Sequence, residues 1–275
     1  MQIESVPSPN FNQRKAAIDM LILHYTGMET GDAALQRMCD PTAEVSAHYM
    51  IREDGRVVML VPEEKRAWHA GVSKWQGDED LNSRSIGIEI VNGGHEFPLA
   101  GNVLPPYPKA QIEALIELVQ GILTRWDIPG HRIVGHSDIA PMRKDDPGEH
   151  FPWDRLARAG IGLWPLTISD NPLIPSDVMT TGRAGERLKS APPSLRGAGL
   201  QRGSAKGAVG RMQAMLATIG YDLPESGVYD AQTEAVVQAF QRRWVPDLVT
   251  GNADLETLRL IGMVRMLYEA SYANP

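Results

Sequence analysis

The chain has 275 residues, a formal net charge of −7 at pH 7 and a single cysteine, Cys39. This length exceeds one average domain and predicts two. The acidic balance excludes the basic footprint of a nucleic-acid-binding protein, and one cysteine excludes both an intrachain disulfide and a cysteine-rich zinc site. No apolar run reaches the length of a membrane span, so we expect no membrane-spanning segment. We also expect a monomer.

Short apolar runs and amphipathic segments are mixed in the first part of the chain. Five segments are typical of strands: 18–23, which leads into His24, the pair 46–52 and 56–61 around Glu53-Asp54-Gly55, then 85–91 and 132–135. Two have helical spacing: 33–38 and 109–126, the second after Pro108. This mixture predicts an α/β fold, with a mixed central β-sheet flanked by helices.

A change in composition separates two domains. Residues 166–206 combine prolines with Ser, Thr, Gly and basic residues, which is typical of a linker. We therefore predict a first domain at 1–165 and a second at 207–275. The second is predicted to be a smaller all-α domain of about three helices, with 263–272 as a further amphipathic helix.

The second domain also contains an internal repeat of 24 residues. The pattern Gly227-x-x-Asp230-x-x-Thr233 recurs from Gly251 as Gly-x-x-Asp-x-x-Thr. Each copy predicts a glycine turn, an aspartate N-cap and the first turn of a helix. Two copies are too few for a solenoid, so the repeat indicates a small bundle.

The residues suited to metal chemistry are concentrated in the first domain, which holds every histidine of the chain. His24 and His136 each follow a predicted buried strand, and Asp146 lies in the Pro/Gly-rich loop after His136. Histidine and aspartate are ligands that zinc accepts. Spacing alone leaves an alternative open for each, because strand ends also carry hydrogen-bonded structural histidines and Asp146 precedes a proline as turn-capping aspartates do.

Two further residues have both a catalytic and a structural interpretation. Glu89 lies within the apolar run 86–91, where a buried carboxylate without a partner is costly. It either faces water from an alternating strand or serves as a general base. Lys144 would stabilise an oxyanion if it lay beside a metal site, but its charged neighbours, taken alone, favour a solvated surface cluster.

Five segments, taken together and in order, resemble the amidase 2 family of N-acetylmuramoyl-L-alanine amidases. They are Leu21-Ile22-Leu23-His24-Tyr25-Thr26, Ser46-Ala47-His48-Tyr49, Ala67-Trp68-His69-Ala70-Gly71, Asn82-x-x-Ser85-Ile86-Gly87-Ile88-Glu89 and Gly135-His136-Ser137-Asp138-Ile139-Ala140-Pro141-x-Arg143-Lys144-x-Asp146-Pro147-Gly148. The last is highly specific. The family includes muropeptide-recycling amidases of Gram-negative bacteria and is similar to peptidoglycan recognition proteins.

The resemblance implies roles for particular residues. It implies a Zn²⁺ ion held by His24, His136 and Asp146, with Glu89 as general base and Lys144 as stabiliser of the developing negative charge. The substrate-binding residues that we predict from the matching segments are Trp68, His69, Asn82 and Arg143. His48 matches a family histidine that is not a ligand, and we interpret it as structural or as a supporting residue behind the metal ligands.

Residues 207–262 resemble the peptidoglycan-binding domain 1 family, through Met212-Gln213-x-x-Leu216, Gly220-Tyr221, Gly227-x-Tyr229-Asp230-x-x-Thr233 and Val237-x-x-Phe240-Gln241.

The implied function is zinc-dependent hydrolysis of the amide bond between N-acetylmuramic acid, or its 1,6-anhydro form, and L-alanine, in peptidoglycan or muropeptides. The alternatives are a non-catalytic peptidoglycan sensor and a phage-type endolysin. The absence of a signal-peptide pattern predicts a cytoplasmic protein, whereas the wall-binding resemblance favours the periplasm or cell envelope if an export signal was trimmed.

Overall fold

The structure is a computed structural model that describes residues 2–165 and 199–273. Most of the predicted linker, 166–198, therefore lies outside the described residues. The chain divides into two compact units, Met1–Gly162 and Leu163–Pro275. Within the described ranges, every helix is too short or too polar to cross a membrane.

Strands and helices are mixed in the first unit. Its strands are β1 (Ile3–Ser5), β2 (Phe11–Gln13), β3 (Met20–Tyr25), β4 (Tyr49–Ile51), β5 (Val57–Met59), β6 (Lys65–Ala67), β7 (Ser85–Ile90) and β8 (Ile133–Gly135). Its helices are α1 (Gly31–Cys39), α2 (Lys109–Arg125), α3 (His136–Ile139) and α4 (Trp153–Arg158), with short 3₁₀ turns at Pro41–Ala43, Leu81–Ser83 and Gly130–Arg132. The predicted α/β class is confirmed.

The central sheet is mixed, with the strand order β1-β5-β4-β7-β3-β8. Strands β4, β7, β3 and β8 run parallel, and β5 returns antiparallel to β4 as the predicted hairpin. All six residues of β3 are buried, as expected for a parallel strand in the middle of a sheet. The register sets Glu89 opposite His24 and Gly135 opposite Leu23, so the predicted site residues meet at one edge.

Helix α2 covers the sheet with an apolar face. The buried positions Ile112, Leu115, Val119 and Ile122 have the predicted helical spacing, and each contributes about 1.5–3 kcal/mol by burial. The helix follows Pro108, whose lack of an N–H group is harmless where backbone N–H groups have no helical partner.

The sequence did not predict strands β1, β2 and β6, or helices α3 and α4. Each of these strands has three residues, and β1 and β2 are exposed throughout, so neither burial nor alternation marks them. Helix α3 begins inside the segment interpreted as a loop. The Asp138 carboxylate accepts a hydrogen bond from Gly135 N at 2.9 Å, which stabilises the first turn directly after β8.

The second unit is helical, as predicted. Its described elements are the helices α5 (Lys206–Ile219), α6 (Ala231–Trp244) and α7 (Leu255–Ala273), and the short antiparallel pair β9 (Gly199–Leu200) and β10 (Ala253–Asp254). The segment 263–272 does not form the predicted further helix but continues α7 without a break. Leu260, Val264 and Tyr268 are buried along one face, so the same packing extends from the third helix through this segment.

The internal repeat has the predicted capping geometry. Asp230 accepts a hydrogen bond from Thr233 N, and Asp254 accepts one from Thr257 N, both at 2.8 Å. Both aspartates therefore satisfy a backbone donor at a helix start, as the pattern indicated.

A glutamine from the preceding helix supports each capping loop. Gln213 donates to Val228 O at 2.9 Å and accepts from Gly227 N at 2.8 Å. Gln241 does the same for the second copy, with a bond to Asn252 O at 2.8 Å and one from Gly251 N at 2.9 Å. Each copy of the repeat therefore has the same packing, in which a buried glutamine side chain forms the hydrogen bonds that the loop backbone cannot form with other backbone groups.

Candidate active site

Three buried side chains meet at the carboxyl edge of the central sheet. His24 is the second-last residue of β3, and His136 directly follows β8. Asp146 reaches them from the loop after α3, which is fixed by a hydrogen bond from Ser137 N to Asp146 O at 2.8 Å. Gly135 permits this return, because a Cβ atom there would lie 2.7 Å from Pro147 Cδ.

The polar atoms of these side chains converge on one point. His24 Nδ1 lies 2.9 Å from His136 Nδ1 and 3.0 Å from Asp146 Oδ2, and His136 Nδ1 lies 3.1 Å from the same oxygen. In the ranges that the structure describes, this is the one group of His, Cys, Asp or Glu side chains close enough to hold a metal ion. Two imidazoles and a carboxylate fit the three-ligand set of a catalytic zinc site.

The electrostatics favour the protonation states that a metal requires. Burial and the nearby His136 lower the pKa of His24 to about 4. Burial alone would raise the pKa of Asp146, but the charge and hydrogen bonds of His136 and His24 hold it well below its usual value. The site therefore presents a neutral His24 imidazole and an anionic carboxylate at neutral pH, as metal ligation requires.

Glu89 is partly buried at the end of β7, and one of its two carboxylate oxygens is fully enclosed. Among the described residues, none supplies a hydrogen-bond partner for its buried Oε2 atom. Burial, together with the negative charge of Asp146, raises the pKa of Glu89 well above 4.5, and Lys144 opposes that rise. The Glu89 side chain therefore lies in the cavity beside the ligand set and is partly exposed there.

The candidate residues share a cavity of about 260 Å³. It is lined by His24, His69, Glu89, His136, Lys144 and Asp146, together with residues that the sequence did not predict, Tyr25, Thr26, Gly27, Met28, Ala34, Arg37, Met38, Val45 and Glu96. Tyr25 directly follows the predicted ligand His24, and this position in the sequence could have indicated that it lines the site. No feature of the sequence indicated Arg37, because only the folding of α1 against the cavity brings it near.

Three of the predicted substrate-binding residues lie outside this lining. Asn82 is 6% exposed, and its Oδ1 accepts hydrogen bonds from His69 N at 3.0 Å and Ala70 N at 2.8 Å. Arg143 donates to the carbonyl of Val72 at 2.7 Å. Trp68 is half-buried, with its indole N–H 3.4 Å from Asn12 Oδ1. Asn82 and Arg143 thus fix the segment that carries His69.

His48 occupies a structural position. It is fully buried, and its Nδ1 accepts a hydrogen bond from Gly87 N at 2.9 Å, while Nε2 lies 3.0 Å from Lys65 O. Burial, with the charge of Arg14, lowers the pKa of His48 to about 3, so the ring is neutral. These bonds link β7 to the strand β6 beside it.

Comparison with known proteins identifies both parts of the chain. Residues 14–149 match the family described as N-acetylmuramoyl-L-alanine amidase, and residues 206–261 match the putative peptidoglycan binding domain family. The N-acetylmuramoyl-L-alanine amidase AmiD of Escherichia coli is 36% identical over 247 residues, which cover 87% of this chain and 79% of that protein. The 1,6-anhydro-N-acetylmuramyl-L-alanine amidase AmpD of Enterobacter cloacae is 40% identical over 170 residues, covering 55% of this chain and 86% of that protein.

Solved structures agree with these matches. The complex of AmiD from E. coli with the substrate anhydro-N-acetylmuramic acid-L-Ala-D-γ-Glu-L-Lys has 34% identity and a TM-score of 0.70, covering 94% of this chain and 93% of that one. AMPDH3 from Pseudomonas aeruginosa has 31% identity and a TM-score of 0.69, covering 96% and 98%. Because these matches extend over most of the chain and the ligand set converges as described, the chain belongs to the N-acetylmuramoyl-L-alanine amidase family and is an amidase.

Proposed function

We propose that this amidase is zinc-dependent and cleaves the amide between N-acetylmuramic acid, or its 1,6-anhydro form, and the L-alanine of peptidoglycan or muropeptides. The observation that carries the proposal is the convergence of His24 Nδ1, His136 Nδ1 and Asp146 Oδ2 within 2.9–3.1 Å of one another. Glu89 and Lys144 line the same cavity.

His24, His136 and Asp146 would hold the ion, which when bound polarises a carbonyl and lowers the pKa of water. Glu89 accepts the proton of the attacking water and passes it to the leaving amine. Its raised pKa suits that exchange, because a general base works best with a pKa near the operating pH. The Lys144 ammonium stabilises the negative charge that develops on the carbonyl oxygen.

The relatives support this choice of substrate. AmiD of E. coli was crystallised with an anhydro-muropeptide as its substrate, and AMPDH3 of P. aeruginosa with anhydromuramic pentapeptide. A cavity of about 260 Å³ encloses only the scissile part of such a molecule, so the glycan and the distal stem peptide extend beyond it. Both anhydro-muropeptide and intact sacculus therefore remain chemically accessible substrates.

We also propose the division of labour along the chain: a catalytic domain at 1–165, a linker at 166–206 and a peptidoglycan-binding domain at 207–275. Every proposed site residue precedes the linker. Deletion of residues 200–275 should leave hydrolysis of small soluble muropeptides largely intact and reduce sedimentation with sacculi. A complete loss of soluble turnover in a folded fragment would contradict this division.

The function is tested by mass spectrometry of the products from anhydro-muropeptide and from sacculi, with and without chelator. We expect release of the stem peptide, loss of this release on chelation, and its return with zinc. His136→Ala should lose the bound zinc, and unchanged zinc content would remove that ligand. A fully metallated protein that binds muropeptide but releases no stem peptide would instead support the non-catalytic sensor, and clearing of sacculi without anhydro-muropeptide turnover would support the endolysin.

A further inference from the structure

We propose that His69 and Ser85 are positioning residues, which fix the ring proton of His24 on Nε2 and so leave its Nδ1 free for the metal ion. This relay rests on the zinc binding proposed above. It is separate from the chemical step, since neither side chain needs to touch the reacting atoms.

The relay begins at a backbone carbonyl. Ser85 Oγ lies 2.6 Å from Leu81 O, and a carbonyl oxygen only accepts hydrogen bonds, so the single hydroxyl hydrogen of Ser85 is donated to Leu81. Ser85 Oγ also lies 3.3 Å from His69 Nε2. Since the hydroxyl hydrogen is already committed, Ser85 accepts this second bond and His69 Nε2 carries the hydrogen.

The next step follows from the chemistry of neutral imidazole, which has one N–H donor and one acceptor nitrogen. With the hydrogen on Nε2, the Nδ1 atom of His69 is an acceptor. It lies 3.0 Å from His24 Nε2, which must therefore be the donor. The rings meet edge to face, with centroids 5.1 Å apart and an interplanar angle of 82°. The Nδ1 lone pair of His24 is then available to a metal ion.

His136 reaches the same state by a different route. Its Nε2 lies 3.1 Å from the carbonyl oxygen of Ala70, which only accepts. The Arg143 guanidinium also approaches Nε2, but at 3.4 Å, and it donates at shorter distances to the carbonyls of Ala70 and Val72. The Nε2–H group of His136 is therefore donated to Ala70, and Nδ1 is left free. Both proton placements depend on the segment 69–70, whose N–H groups are held by the Asn82 side chain. The Nδ1 lone pairs of the two histidines and the Asp146 carboxylate oxygen consequently face one another at 2.9–3.1 Å. A bound cation would remove the repulsion between them.

An independent feature of β7 indicates that this position of His69 is built into the fold. A Cβ atom at Gly87 would lie 2.4 Å from His69 Cγ, which is closer than real Cβ contacts allow. The His69 ring therefore rests directly on the strand backbone, and only glycine leaves space for it. Gly87→Ala should displace the ring and weaken zinc binding in the same way as loss of the imidazole.

The experiment measures zinc affinity by competition with a chelator for wild type, His69→Leu, His69→Asn and Ser85→Ala. We expect His69→Leu to bind zinc about 10- to 100-fold more weakly, because supporting partners of metal-ligating histidines typically contribute that much. His69→Asn, whose amide oxygen can accept in place of Nδ1, should recover part of the loss. Ser8→Ala is the matched control, since Ser8 is also buried and its hydroxyl also donates to a backbone carbonyl, that of Met38, while Ser8 itself lies outside the cavity lining.

A second readout separates proton placement from general loss of structure. Nitrogen NMR of the metal-free protein should find His24 in the Nε2–H tautomer, and Ser85→Ala should mix the tautomers while circular dichroism and urea unfolding identify any variant that fails to fold. Unchanged zinc affinity and an unchanged tautomer in folded Ser85→Ala and His69→Leu would overturn the relay alone. If His69→Leu does not fold, Ser85→Ala decides. A wild-type protein that binds no zinc would overturn the proposed function and the relay with it.

Discussion

Replacement of Glu89 with glutamine should stabilise the metal-free protein near neutral pH and strongly lower the kcat of the zinc-loaded protein. The carboxylate has a buried oxygen for which the described residues supply no hydrogen-bond partner, and burial raises its pKa well above 4.5. An acid whose pKa is raised by folding is protonated in both states below pH 4.5. Above that pH the folded state holds the proton more tightly than the unfolded state, so the free energy of unfolding falls.

The size of this loss follows from proton linkage. Between the unfolded pKa of 4.5 and the raised folded value, the Glu89 contribution decreases by about 1.4 kcal/mol per pH unit. Glutamine has no charge to bury and lacks this loss. The difference in unfolding free energy between Glu89→Gln and wild type should therefore be constant below pH 4.5 and increase above it. Each kcal/mol of this difference should correspond to a difference of about 2–4 °C in Tm.

Urea unfolding in the presence of chelator, at several pH values from 4 to 7, measures this difference directly. Glu96→Gln is the matched control, because Glu96 lines the same cavity but is exposed. The same Glu89→Gln protein, loaded with zinc, should lose about 10²- to 10⁴-fold in kcat with its zinc content unchanged. A stability difference that is independent of pH would refute the raised pKa of Glu89, and a retained kcat would refute its role as general base.

Three further predictions concern the neighbouring charge, the metal and the second unit. Lys144→Met should lower kcat by about 10²- to 10³-fold with unchanged zinc content, because it removes an oxyanion-stabilising cation; a normal rate would return Lys144 to the solvated surface cluster. Chelation should lower Tm, and free zinc at about 1,000 times its Kd should restore about 4 kcal/mol where magnesium does not; an equal effect of magnesium would contradict a nitrogen-rich site. Gln241→Ala should destabilise the second unit by about 1–3 kcal/mol in urea unfolding, since it leaves backbone groups of the buried loop unpaired, whereas the more exposed Gln232→Ala should change little.

The parts of the fold that the sequence predicted are those with a strong local signal. The buried strand β3, the amphipathic helix α2 and the capping repeat of the second unit each follow from residue types at a fixed spacing. The exposed strands β1 and β2 do not, because three polar or isolated residues become a strand only when a partner lies beside them. Likewise, α3 depends on a cap that forms after β8 is in place.

For the site, the residue types and their spacing predicted the chemical groups: two histidines after apolar strands, an acidic loop and a glutamate within a strand. Folding brings His24 and His136, 112 residues apart, to a common centre with Asp146. It also places Glu89 in the same cavity, while Asn82 and Arg143 hold the backbone around His69. The physical reason is the register of the strands. Successive side chains of a strand point to opposite faces of the sheet, so the pairing of His24 with Glu89 directs both side chains into one cavity. A register shift of one residue would place them on opposite faces.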